Sequence, residues 1–194
     1  MGLLNLLSKI IPAPKSVNET QEDSVASPKQ KKPFCEKIVL SGAKHTIEDD
    51  IWEISYEIDD AFKQTKSHAA EVEALAVYAY GRDEWTEADE PSVAILADDL
   101  IMESIEEYHE TGRLKNALKF EPADGIFLFK AVTEYYDQLL YFYAFETEEE
   151  EAVWQLAFCM FYPKDYADTE NERILMRVLD EAADSFRKIE VQVI

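Results

Sequence analysis

Glycine is scarce in this chain, with 5 among 194 residues, and neither common glycine-rich phosphate loop can be assembled from them. Cysteine is scarcer still. Cys35 and Cys159 lie far apart, and neither has a second cysteine or a histidine at ligand spacing, which argues against cysteine-held metal and against a disulfide framework. A reducing, cytoplasmic setting fits that usage best. The three histidines, His45, His68 and His109, are scattered, and no G-x-S-x-G marks a serine nucleophile. No apolar run reaches the length of a membrane span. Basic residues number 19 against 41 acidic ones, a formal net charge of -22, which excludes a broad grip on nucleic acid phosphates.

What remains is acidic and apolar at once. Hydrophobic residues make up 47% of the chain and aromatics 12%, enough for a sizeable core in one domain. Residues 1–44 carry seven lysines against four acidic residues, whereas the remainder carries 12 basic against 37 acidic residues. The acidity therefore belongs to the folded part.

Three regions follow. Residues 1–11 place Leu3, Leu4, Leu7, Ile10 and Ile11, with Leu6, at helical spacing, so an amphipathic N-terminal helix is expected. It would pack on its own domain or dock into a partner groove, in preference to lying on a membrane. Residues 12–33 hold four of the seven prolines with serine, glutamine and lysine, and read as a flexible linker. Residues 34–194 form the acidic domain.

Helical signals dominate that domain. Ile47, Ile51, Ile54, Ile58 and Phe62 recur at a helical interval, and a second helix is expected over residues 69–80, stopped by Gly81. Val93, Leu96, Leu100, Ile101, Ile105 and Tyr108 carry a stripe up to Gly112. Residues 126–145 are apolar on nearly every side and predict a central buried helix. Thr147 with Glu150, and Thr169 with Glu172, read as capping boxes for the last two. The expectation is an all-α helical bundle of about five or six helices. A minor two-strand β element would pair residues 37–40 with 189–194 at its edge.

Two constellations carry chemistry. Glu106-Glu107-Tyr108-His109-Glu110 reads E-E-x-x-E, and Glu134-Tyr135-Tyr136-Asp137 reads E-x-x-D. This pair resembles the motif of the all-α nucleoside triphosphate pyrophosphohydrolases of the MazG type. The resemblance implies that Glu106, Glu107, Glu110, Glu134 and Asp137, on two adjacent helices, would hold Mg²⁺ and through it a triphosphate. Glu106 and His109 also form one E-x-x-H pair, but a di-iron site needs a second and none exists.

The competing reading takes the glutamates as an exposed acidic face. Asp98, Asp99, Glu103, Glu106, Glu107 and Glu110 fall where spacings of three and four align several carboxylates. A net charge this large exceeds what solubility requires and destabilises the compact state by self-repulsion. The leading expectation is therefore a non-enzymatic inhibitor or immunity-type protein without a cofactor. Its acidic face would engage a basic protein that itself handles nucleic acid, with no direct nucleic acid contact. The Mg²⁺-dependent enzyme, and an adaptor working through residues 1–11, are the alternatives.

Overall fold

The structure, a computed structural model, describes residues 43–48, 53–65, 74–81, 90–97, 101–120, 127–149 and 152–188. For residues 43–48, 53, 147–149, 152–154 and 188 it describes the backbone alone. The amphipathic segment 1–11, the linker 12–33 and the edge pairing of 37–40 with 189–194 lie outside the described residues.

The architecture is dominated by β-structure, which overturns the all-α bundle. In chain order the strands are β1 (Ala43–Glu48), β2 (Glu53–Ile58), β3 (Phe62–Gln64), β4 (Ala74–Tyr80) and β5 (Ser92–Ala97). Helix α1 (Ile101–Glu110) follows, then β6 (Lys115–Lys119), β7 (Phe129–Tyr135), β8 (Gln138–Glu149) and β9 (Ala152–Pro163). A 3-10 turn (Lys164–Tyr166), helix α2 (Glu170–Ser185) and the short β10 (Arg187–Lys188) complete it. Seven strands form one antiparallel sheet in the order β3-β4-β5-β9-β8-β7-β6. A smaller three-stranded sheet runs β1-β2-β10.

The physical reason for the misreading lies in the layers. Along β8, Leu139, Tyr141, Tyr143 and Phe145 belong to one core, which includes Ile54 and Tyr56 of β2 and Leu175, Val178 and Leu179 of α2. The alternate residues Leu140, Phe142 and Ala144 belong to a second core, with Ile101, Ile105 and Tyr108 of α1. Alternate strand residues point to opposite faces, so α1 and α2 cover opposite sides of the large sheet. A strand buried on both faces shows no polar alternation and reads like the all-round apolar helix expected over 126–145. The same holds for residues 74–80, expected to be helical and found as β4. The Ile47–Phe62 interval is likewise broken into β1, β2 and β3, with Ile54, Tyr56 and Ile58 buried at period two.

The Thr147–Glu150 capping pattern also fails, because Thr147 sits in β8, opposite Trp154 in the register. Strands β8 and β9, twelve residues each, form a central hairpin from Gln138↔Pro163 to Glu149↔Ala152. Strand β5 pairs with β9 only as far as Leu156, and β7 pairs with β8 from Ala144. Among the described residues, the stretch 146–149 therefore pairs only with 152–155, as an arm beyond the sheet.

Helix α2 begins where its Thr169 cap places it and α1 ends where Gly112 stops it, but Val93 and Leu96 of the expected stripe lie in β5, so the start of α1 is not where the sequence put it. Gly112, at φ +69, closes α1: its N–H donates to the His109 carbonyl at 3.1 Å, and Arg113 N–H to Tyr108 O at 2.9 Å. This is the pairing that a left-handed residue at a helix C-terminus permits. Thr169 caps α2, accepting from Glu172 N–H at 3.4 Å, while the Glu172 carboxylate accepts from Asp168 N–H at 2.6 Å.

Candidate functional site: an acidic helix face

Helix α1 turns Ile101, Ser104, Ile105 and Tyr108 into the core and leaves Glu103, Glu106, Glu107 and Glu110 exposed. Spacings of three and four place those four carboxylates on one stripe. Among the described residues, none of the four carboxylates takes part in a hydrogen bond or an ion pair. Four like-charged pairs at (i, i+3) and (i, i+4) then repel without an intervening cation, each costing about 0.2–0.5 kcal/mol. Glu106, Glu107 and Glu110 also stand toward the negative end of the helix dipole, where anions are disfavoured. Asp98 and Asp99, expected on the same face, lie outside the described residues.

The root of the β8–β9 arm holds the start of this helix. Gln155 Oε1 accepts from Met102 N–H at 2.7 Å, and Gln155 Nε2 donates to Glu146 Oε2 at 2.8 Å. An otherwise open N–H of the first helical turn is thereby satisfied from the sheet. Glu146, Glu148 and Glu149 lie on the arm, so a second run of acidic residues begins where α1 begins. The Thr147–Glu150 capping pattern places a helix start at this arm, and nothing in that pattern points to Gln155. The available signal was a polar run between two aromatic, β-prone segments, which is the pattern of a hairpin end.

Helix α2 treats its charges differently. Asp180 Oδ1 accepts from the hydroxyls of Tyr141 and of Tyr143, the latter at 2.6 Å, and pairs with Lys130 at 3.8 Å. Burial first, and the hydrogen bond to Asp180 second, push both phenols well above their ordinary range. Glu172 Oε1 accepts from the Tyr162 hydroxyl at 2.8 Å, and burial with that contact raises Tyr162 likewise. Arg173 pairs with Glu170 at 2.8 Å and Arg177 with Glu181 at 3.7 Å.

The residues of the pyrophosphohydrolase-like pattern are not brought together on facing helices. Glu134 is on β7, and Asp137 is in the turn between β7 and β8. The Glu134 carboxylate is held by Lys164 at 3.1 Å and Lys115 at 3.3 Å, which keep it below the usual carboxylate range. Among the described residues, no three His, Cys, Asp or Glu side chains are grouped to hold a metal ion. His109 is exposed in the last turn of α1, and Cys159 is buried at the sheet centre, where burial pushes its thiol up.

No protein-family model matches the chain, and no curated protein does. Among solved structures it is similar to LpqN, described as involved in cell envelope biogenesis of Mycobacterium tuberculosis. The two share 10% identity over 77% of this chain and 86% of that one, with a TM-score of 0.46. A likeness that distant says nothing about activity.

Proposed function

We propose that the chain is a non-enzymatic binding protein of the inhibitor or immunity type. Its acidic α1 face engages a basic protein that itself handles nucleic acid. The observation that supports this reading is the unengaged stripe Glu103, Glu106, Glu107 and Glu110, which stands against the helix's own stability while α2 engages all but one of its carboxylates internally. A row of carboxylates on one rigid helix competes for a cleft built to take phosphates. Complementary charge of this kind acts mainly on the rate of encounter and on partner choice.

The test uses immobilised full chain and a variant with Glu103, Glu106, Glu107 and Glu110 changed to lysine. Each is exposed to lysate of the native cell at low and at moderate salt. A basic protein should be retained by the wild-type chain, lose its nucleic acid on binding, and associate about tenfold or more slowly with the variant. Equal retention by the variant at low salt contradicts the reading.

A further inference from the structure

The large sheet ends on β6, whose outer edge pairs with no strand among the described residues, and all five of its residues are exposed. Leu118, at 52% exposure, and Tyr136, at 57%, are the two exposed large hydrophobic side chains among the described residues. Both belong to this margin of the sheet. Leu118 is on β6, and Tyr136 is in the turn after β7, at φ +49, a conformation that a bulky residue rarely adopts.

The pairing of β6 with β7 adds a second feature. Lys115 opposes Val132 and Leu118 opposes Lys130, so β6 carries one extra residue between these pairs, with Asn116 at φ 52. Such a bulge shifts the faces of the strand. Val132 and Lys130 are two apart and share a face, so the bulge brings Lys115 and Leu118 to that same face. Lys119, opposite Phe129, lies on the other. The charge here is also reversed. Residues 113–120 contain Arg113, Lys115 and Lys119 and no acidic residue, in a chain of net charge -22.

Lysines and bulges guard sheet edges against unwanted pairing, but a guard alone does not account for an exposed leucine between two lysines. We propose that the β6 edge is a strand-addition site for an extended segment of a partner protein. That segment places an apolar residue against Leu118 and an acidic residue opposite Lys119, on the other face, while Lys115 is already held by Glu134 at 3.3 Å. Backbone hydrogen bonds to the open edge supply affinity, and the alternating side chains supply selection. Beyond about 8 Å the molecule's overall negative field is screened at physiological salt, so Lys119, for which no ion pair forms among the described residues, sets the sign at contact range. The site is separate from the α1 face and prefers the opposite charge.

The test measures amide hydrogen exchange of the full chain with a synthetic peptide alternating glutamate and valine. A peptide with lysine in place of glutamate is the control. The acidic peptide should slow exchange at residues 115–119 and leave α1 unchanged, and the control should do neither. A double variant, Leu118→Ser with Lys119→Glu, should bind the acidic peptide at least tenfold more weakly. Both substituted side chains are exposed, and unchanged thermal unfolding confirms that the variant folds. The proposal is overturned if millimolar acidic peptide protects nothing on β6 or if the basic peptide protects it equally. It is also overturned if protection rises with protein concentration alone, which would make a second copy the occupant. Substituting the α1 glutamates should not alter this result, so the two proposals fail independently.

Discussion

Helices α1 and α2 are built on the same sheet from similar material. Each buries an aliphatic stripe, Ile101 and Ile105 in one and Leu175, Val178 and Leu179 in the other, and each leaves acidic residues outside the core. In α2 four of the five acidic residues are engaged: Glu172 caps the helix and holds Tyr162, Asp180 holds Tyr141 and Tyr143, and Arg173 and Arg177 answer Glu170 and Glu181, with Asp184 the exception. In α1 the stripe from Glu103 to Glu110 answers nothing among the described residues. Acidity is therefore not one property of this molecule. On one face it contributes to the fold, and on the other it opposes it.

The largest expected effect lies on the α2 side and depends on pH. Tyr141, Tyr143 and Tyr162 hold their protons more tightly in the folded chain than in the unfolded one. An unfolded tyrosine releases its proton near pH 10, so the stabilisation is complete below that pH and is lost as pH rises above it. The loss should be about 1.4 kcal/mol for each such tyrosine per pH unit. Urea unfolding at a series of pH values from 9 to 11.5 should show a steep fall beginning near 10. A flat profile would mean that these hydroxyls are hydrated and that the α2 contacts are weak.

Next in size is Asp180→Ala. It removes the charged acceptor shared by two buried phenols, and urea unfolding at neutral pH should register a loss of about 2–3 kcal/mol. A loss below about 0.5 kcal/mol would remove the contrast between the helices. The surface pairs of α2 are the smallest contribution. Arg173→Ala and Arg177→Ala should each change stability by about 0.5 kcal/mol or less, and high salt should erase the difference. Larger effects would show that the exposed pairs, rather than the tyrosine contacts, hold α2 in place.

Helix α2 and the end of α1 were the legible part of the sequence, whereas Val93 and Leu96, expected in the same helix as Ile101, lie in β5. Thr169 with Glu172 and the stop at Gly112 are local signals, and both correspond to hydrogen bonds in the structure. The strands were not legible, because the property that hides them is tertiary. Tyr141-Phe142-Tyr143-Ala144-Phe145 is apolar at every position since a helix covers each face of β8, and no alternation survives to separate strand from helix. Its richness in aromatic residues was the remaining clue, and aromatics favour strands. The spacing of Glu103, Glu106, Glu107 and Glu110 was readable as an exposed stripe. The support that Gln155 gives to the start of that helix was not, because it crosses 53 residues of sequence.

The claim that α1 carries charge its fold does not use is tested most directly by changing Glu103, Glu106, Glu107 and Glu110 together to glutamine. Urea unfolding of this variant and of the wild-type chain is then compared at low and at high salt. Glutamine keeps the shape and removes four repulsive pairs, so the variant should be as stable as wild type or more stable by about 1 kcal/mol at low salt, with the gap closing at high salt. A loss of more than about 1 kcal/mol would contradict the account, because it would make those carboxylates part of what holds the fold together.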